Sequence, residues 1–353
     1  MTDFLTISEI IRAAERKLPP EIWDYASGGA DTETTLRRNR VAMERFALCQ
    51  RVLAGVQQRD TSTAFLGRRI SVPVMLAPVG GLTSFDANGA LAVARVAERI
   101  GTFAFVSTVT APGLEEVAGG ASCPLVFQLY NYGDRDWVKG IVRRAERAGY
   151  VAICLTADTA VYGRRDRDLV NRHFPRQDVS ERPNLAELPL GSLGPDVYQA
   201  SLTWEYLSWL RDLTSLPLIL KGVMEADDAV KAVEHGVDVI YVSNHGGRQL
   251  DHAPATIEVL AAVVKAVAGR AEVLVDSGFQ RGTDVVKGLA LGAKAVLIGK
   301  LLVWSLGADG EAGLQCALEI LTREIDVAMG LIGVKNIHEI GPHVIRPSLP
   351  NDI

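Results

Sequence analysis

Residues 124–158 read PLVFQLYNYGDRDWVKGIVRRAERAGYVAICLTAD, and they hold in miniature the repeat that builds the chain. Pro124–Tyr130 and Val151–Asp158 are predominantly apolar runs, the pattern of strands buried on both faces of a parallel sheet. Between them, Asp134–Gly149 has helical periodicity: Trp137, Val138, Ile141, Val142 and Ala145 fall on one face. Asp134 is placed to cap that helix and Gly149 to end it. Working outward, similar runs recur at Ser71–Val79, Phe103–Thr108, Leu216–Gly222, Asp238–Asn244, Glu272–Gly278 and Ala295–Leu302. Eight strands, each followed by a helix, predict an α/β chain closed into a (β/α)8 TIM barrel over residues 71–335. An open doubly wound sheet for dinucleotides would need a GxGxxG turn after an early strand, and the sequence has none.

Two segments stand outside the repeat. Residues 1–70 form an N-terminal helical extension in which Thr6 and Glu9 are spaced as a capping box. A second helical pattern, Glu21–Ser27, ends at Gly28-Gly29. Residues 159–202, after the fourth strand, are too long for an ordinary connection and are expected to be a lid loop. The 353 residues read as a single domain.

With 48% hydrophobic and 22% charged residues, the composition excludes a disordered, collagen-like or coiled-coil chain. The net charge of −5 leaves no basic footprint for nucleic acid. Cys49, Cys123, Cys154 and Cys316 are too scattered for a disulfide scaffold, which predicts a reducing compartment. MTDFLTISEIIRAAERK has no apolar core of signal-peptide length, and PSLPNDI carries no peroxisomal or reticular address. The most apolar stretch, 285–306, is broken by Lys287, Lys294 and Lys300. The expectation is a cytoplasmic protein with no membrane segment.

Barrel enzymes keep their chemistry at the carboxyl ends of the strands. Here those ends carry Ser107, Gln128, Tyr130, Thr156, Asp158, Lys221, His245, Asp276 and Lys300. Gln128, Thr156 and Lys221 lie inside otherwise apolar runs, where a polar group is costly unless something completes its hydrogen bonds. A ligand across the barrel mouth would do so. The segment Val242-Ser243-Asn244-His245-Gly246-Gly247-Arg248-Gln249 pairs a group that exchanges protons near neutral pH with one that grips carboxylates. On spacing alone, a histidine capping a strand and an arginine in a surface ion pair fit equally well. His338-Glu339 and His343 lack the HExxH spacing, no Walker A stretch occurs, and no Cys/His cluster predicts a metal.

The segment Ser243-Asn244-His245-Gly246-Gly247-Arg248-Gln249 resembles the active-site signature of the FMN-dependent 2-hydroxy acid oxidase/dehydrogenase family, which includes glycolate oxidase, lactate oxidase and mandelate dehydrogenase. Further stretches fall in family order: Asp24–Gly29, Leu76–Pro78, Phe127–Tyr130, Leu155–Thr159, Gly163–Arg165, Leu220–Gly222 and Arg281–Asp284. The resemblance covers residues ~5–345.

It implies FMN as cofactor and a small 2-hydroxy carboxylic acid as substrate. His245 would take a proton from the substrate while two electrons pass to the flavin, as hydride or through a carbanion. Asp158 would stabilise the protonated imidazole. Tyr25, Arg165 and Arg248 would hold the substrate carboxylate, and Tyr130 its hydroxyl or carbonyl oxygen. Lys221, Ser107, Gln128, Thr156, Ser243 and the backbone of Ala77, Pro78 and Val79 would surround the isoalloxazine ring. Asp276, Ser277, Gly278, Gln280, Arg281, Gly299 and Lys300 would form the phosphate end. Relatives are often tetrameric, so the resemblance implies a homo-oligomer.

Several positions depart from the family pattern. Gln280 and Lys300 stand where arginines are expected, which removes one charge and one planar fork from the phosphate end. Gly80 replaces an alanine common in the oxidases; mandelate dehydrogenase and lactate monooxygenase share the glycine. Val109 replaces an aromatic of glycolate oxidase and widens the pocket. The sequence therefore predicts oxidation of an L-2-hydroxy acid larger than glycolate, aromatic or branched. O2 is the expected acceptor, giving H2O2, with a quinone or carrier protein as the alternative. A flavin-dependent isomerase suits the Arg165, Arg248 and His245 set poorly, and a ligand-binding pseudoenzyme would not need an intact base.

Overall fold

Thr6 opens the first helix through the capping box its sequence encodes: its Oγ1 accepts from the Glu9 amide at 3.2 Å, and the Glu9 carboxylate accepts from the Thr6 amide at 3.2 Å. This helix, α1 (Ile7–Lys17), is followed by α2 (Pro20–Ser27) and α3 (Thr34–Val41). The computed structural model describes residues 4–173, 182–188 and 195–348.

Eight parallel strands then close into a barrel, each paired with its sequence neighbours and the last with the first. They are β1 (Val74–Leu76), β2 (Ala104–Ser107), β3 (Leu125–Leu129), β4 (Ala152–Thr156), β5 (Leu218–Val223), β6 (Val239–Val242), β7 (Glu272–Val275) and β8 (Ala295–Ile298). All eight apolar runs of the sequence became strands, shorter than the runs because their ends turn out into the loops. Ala295–Leu302 runs on into a helix: Lys300 already opens the helical stretch Lys300–Ile332, kinked at Asp309-Gly310, and Leu301 and Leu302 pack as helix residues. The helix read over Asp134–Gly149 spans Arg135–Arg147, with the Asp134 carboxylate accepting from the amides of Asp136 and Trp137.

Side chains two apart on a strand share a face. The barrel interior is accordingly a set of columns, apolar below and polar above: Phe105 then Ser107, Val126 then Gln128, Cys154 then Thr156, Ile219 then Lys221, Tyr241 then Ser243, Leu274 then Asp276. The lower layers exclude water, and the upper layer collects the site. The amino-terminal end is closed by the hairpin Thr63–Phe65/Arg68–Ile70, whose Phe65 meets Phe103 edge-on with centroids 5.0 Å apart. Sequence reading gave residues 1–70 no strands. Phe46–Leu48 also pairs antiparallel with Ile345–Pro347, fastening the extension to the chain's other end.

Of the predicted lid, the helix Asp166–Val170, the turn Pro183–Leu185 and the helix Pro195–Ala200 are described. Its residues 174–181 and 189–194 lie outside the described residues. Among the described residues, no helix is long and apolar enough to cross a membrane.

Candidate active site

The carboxyl end of the barrel opens into a cavity of about 740 Å³, ringed by the ends of the strands, by α2 and α3, and by parts of the segment after β4. Its described lining carries seven Lys and Arg side chains against a single carboxylate, Asp276. Such a wall favours an anionic ligand.

His245 is placed by a short left-handed run. His245, Gly246 and Gly247 have φ of +58°, +69° and +73°, a conformation that glycine adopts freely and histidine rarely. At Gly247 a Cβ would also lie 2.7 Å from the Leu36 backbone of α3. The run is held by the Ser243 hydroxyl, which accepts from the His245 amide at 3.1 Å, and by Ser277, which accepts from the Gly246 amide at 3.0 Å. Asn39 of α3 and Asn244 exchange reciprocal carboxamide hydrogen bonds of 3.0 and 2.8 Å.

The imidazole sits between three groups. Its Nδ1 is 3.0 Å from Asp158 Oδ1, and its Nε2 is 3.3 Å from the Tyr130 hydroxyl. A carboxylate only accepts, so Nδ1 carries the proton and the Nε2 lone pair is available on the other side of the ring. Burial, then the Lys221 charge, pushes the His245 pKa below its ordinary value, against the pull of Asp158. At neutral pH this imidazole is a free base. Burial alone would raise the Asp158 carboxyl, but Lys221 and then His245 outweigh it and hold it at about 2.

Lys221 is almost wholly buried, yet its Nζ comes no closer to a polar partner than 3.4 Å at His245 and 3.5 Å at Asp158 Oδ2. That Oδ2 itself has no hydrogen-bond partner. Burial opposes the ammonium charge, but Asp158 and Asp276 outweigh it and raise its pKa. A charged donor with open N–H groups, 5.5 Å above the Tyr241 ring and on the cavity wall, suits the acceptor edge of a flavin.

Arg165 and Arg248 face the same cavity. Arg165 donates to the Tyr162 hydroxyl, with its guanidinium 4.2 Å from that ring centroid. Arg248 donates to the carbonyls of Tyr25 and, at 3.2 Å, Gly28, and lies 4.8 Å over the Tyr25 ring. Burial, then the charge of Arg248, lowers the Arg165 pKa. Two neighbouring guanidiniums in one buried wall call for an anion between them.

Of the residues singled out in the sequence, Tyr25, Ala77, Pro78, Val79, Tyr130, Arg165, Lys221, His245, Arg248, Asp276, Ser277, Gly278, Gln280, Gly299 and Lys300 all line the cavity. Asp158 lies behind His245. Ser107, Gln128 and Thr156 form a buried chain, Ser107 Oγ to Gln128 Oε1 at 2.6 Å and Gln128 Nε2 to Thr156 Oγ1 at 2.8 Å, that satisfies itself within the wall.

Two phosphate-end expectations need correction. Arg281 turns away from the cavity into an ion pair with Glu324 at 2.6 Å, because consecutive residues of this extended loop face opposite ways and Gln280 takes the inner side. Lys300 reaches the wall, but its ammonium donates to the carbonyls of Ala26, Ser27 and Gly28 at 3.1, 3.1 and 2.6 Å. It caps the carboxyl end of α2. Sequence reading missed Arg37, Asn39 and Arg40, the polar α3 residues of the wall, and Gln199, which donates to the Thr156 carbonyl and to Thr159 Oγ1 at 2.9 Å.

A parallel barrel whose mouth joins a carboxylate-backed imidazole, two guanidiniums and an open buried lysine has the groups of an enzyme acting on an anionic substrate. Comparison with known proteins sharpens this. The FMN-dependent dehydrogenase family profile matches residues 14–347. Glycolate oxidase of Spinacia oleracea is 41% identical over 96% of the chain and 94% of that protein. 2-Hydroxyacid oxidase 1 of Homo sapiens is 42% identical over 97% and 96%. A soluble mutant of the membrane-associated (S)-mandelate dehydrogenase of Pseudomonas putida superposes with a TM-score of 0.92 at 36% identity, covering 98% of this chain and all of that one. The chain belongs to the FMN-dependent 2-hydroxy acid oxidase/dehydrogenase family. Its cofactor is FMN, and it is an oxidoreductase.

Proposed function

We propose that the protein oxidises an L-2-hydroxy acid larger than glycolate, with an aromatic or branched side chain, to the 2-oxo acid. The reading is carried by one observation, the His245 Nε2 that faces the cavity while Nδ1 is tied to Asp158. Arg165 and Arg248, with Tyr25, hold the carboxylate. Tyr130 bonds the oxygen on C2, and His245 takes up one proton, its new charge balanced by Asp158. FMN, when bound, would supply the acceptor for the two electrons and the second proton; O2 would take these together with the proton released from His245 to give H2O2, which returns His245 to its neutral form.

The larger substrate is supported by the apolar side chains Phe85, Val109 and Ala111 in the cavity wall, a surface that glycolate, with no side chain, would leave uncovered. An acceptor other than O2 is the second reading, favoured by the glycine at position 80. Mixing the protein with a series of 2-hydroxy acids without air should bleach the flavin, and admitting air should restore its colour with release of peroxide. The highest kcat/KM for glycolate would refute the substrate assignment. Failure of air to restore the colour would favour the second acceptor.

A further inference from the structure

We propose that the phosphate of FMN is bound by the unpaired Nε and Nη2 edge of Arg40 of α3, a residue outside the barrel; this rests on FMN as the cofactor. In parallel barrels a phosphate is gripped by the loops after the seventh and eighth strands and by a helix N-terminus beyond them. The corresponding loops here are residues 276–281 and 299, and residues 276–280 and 299 line the cavity together with the start of Lys300–Ile332.

The cations those loops should provide are absent or engaged. Residue 280 is a neutral glutamine, Arg281 pairs with Glu324, and Lys300 spends its N–H groups on three carbonyls of α2. The amides of Gln280 and Arg281 are likewise taken, each donating to Asp284 Oδ2 at 3.0 Å. What remains is the first turn of Lys300–Ile332, equivalent to about half a positive charge. A phosphate carries more than one negative charge near neutral pH.

Arg40 closes the gap. It lines the cavity with Gln280, and its Nη1 donates to the Gly278 carbonyl and to Asp284 Oδ2, both at 2.5 Å. Among the described residues its Nε and Nη2 bond to nothing, so half of the fork is unspent, and the side chain is 38% exposed. The helix reaches the loop this closely only because residue 278 is glycine: φ is +92°, and a Cβ there would lie 2.5 Å from the Asn39 carbonyl oxygen. One carboxylate, Asp284, therefore fixes the loop amides and Arg40 together. Arg37, one turn earlier on α3, adds a second cation at the rim, tied to the Thr32 carbonyl at 2.7 Å.

The test compares FMN with riboflavin, which differ by the phosphate alone, in titrations of the full-length protein stripped of flavin and followed by fluorescence quenching. Arg40→Gln should weaken FMN by about 10- to 100-fold, the range of a lost charge-assisted hydrogen bond, and riboflavin by less than about threefold. Arg40→Lys keeps a charge beside Asp284 and should lie between wild type and Arg40→Gln. Adding Gln280→Arg to Arg40→Gln should restore most of the FMN affinity, since the new guanidinium lies on the same stretch of wall. Equal losses for both flavins would assign Arg40 a purely structural role and overturn the proposal, as would unchanged FMN affinity in Arg40→Gln and Arg40→Lys. Turnover is not read in any arm, so an error in the substrate assignment cannot imitate these results.

Discussion

Replacing Asp158 with asparagine tests whether the carboxylate behind His245 acts by charge or only by shape. Asparagine is nearly isosteric and can still accept from His245 Nδ1, so the ring should keep its place while the negative charge goes. The structure sets the scale. The Asp158 carboxyl is held at about 2, against an ordinary 3.8, by Lys221 and His245 together. A displacement of this size corresponds to about 2 kcal/mol of net stabilisation of the carboxylate, left after the Lys221 ammonium and the His245 imidazole have offset its burial. In the variant, a proton gained by His245 during the reaction no longer meets a carboxylate at 3.0 Å, and with so little exposure this lost imidazolium–carboxylate attraction is the larger effect. We expect kcat/KM to fall by about 30- to 300-fold, or roughly 2–3 kcal/mol.

The pH profile gives the sign independently. In the proposed role as base His245 must be neutral, and burial and Lys221 place its pKa below the ordinary 6.5. The wild-type rate of anaerobic flavin bleaching should therefore rise through the acid range and level off by neutrality. Asp158 pulls that pKa upward, so in Asp158→Asn the acid limb should move to lower pH while the plateau drops. Stability follows the carboxyl. Its folded pKa is depressed, so its contribution is present above the unfolded value near 3.8 and is lost as pH falls toward 2. The variant should thus be less stable than wild type at pH 7, with the gap closing in acid. A plateau within about threefold of wild type, or an acid limb moved upward, would refute the electrostatic role.

Two further outcomes follow from particular contacts. A Cβ at Gly80 would lie 2.6 Å from Val109 Cγ2, so Gly80→Ala should cost about 1–3 kcal/mol by overpacking; Val109→Ala should relieve it, and additive losses of Tm in the double variant would show the two sites to be independent. Lys300→Met should release the carboxyl end of α2 and raise KM for the 2-hydroxy acid by about tenfold, with FMN affinity changed less than about threefold; a dominant loss of FMN affinity would return Lys300 to the phosphate.

The barrel was legible because its strands are short apolar runs separated by helices of strong period, a local signal that needs no tertiary information. The upper layer of the interior was legible for a related reason. Gln128, Thr156 and Lys221 interrupt apolar runs at the positions where the columns end, and a polar residue there is costly without a purpose. The hairpin Thr63–Phe65/Arg68–Ile70 has strands of three residues each, too short for alternation to register. The pairing of Phe46–Leu48 with Ile345–Pro347 joins residues almost the whole chain apart, which no local pattern encodes. Arg281 was misplaced because sequence identifies a cation in a loop but not which way an extended loop turns it.

Helix α3 is the most instructive omission, because its sequence, TTLRRNRV, looks like a solvated surface helix. Its polar residues are divided between two tasks. Arg38 faces outward to Glu258 at 2.7 Å, while Asn39 locks the His245 segment and Arg40 the loop after β7. The same division holds in α2, where Tyr25 reaches the cavity and the carbonyls of Tyr25 to Gly28 receive Arg248 and Lys300. Half of the cavity's charge therefore depends on elements that fold outside the barrel and dock on its mouth. Docking brings Tyr25 and Arg40 to the wall and orients Arg248 in the same event, so loosening either helix should weaken substrate and cofactor binding together. The barrel alone would present His245, Lys221 and Arg165, but Arg248 would lack the α2 carbonyls that orient it.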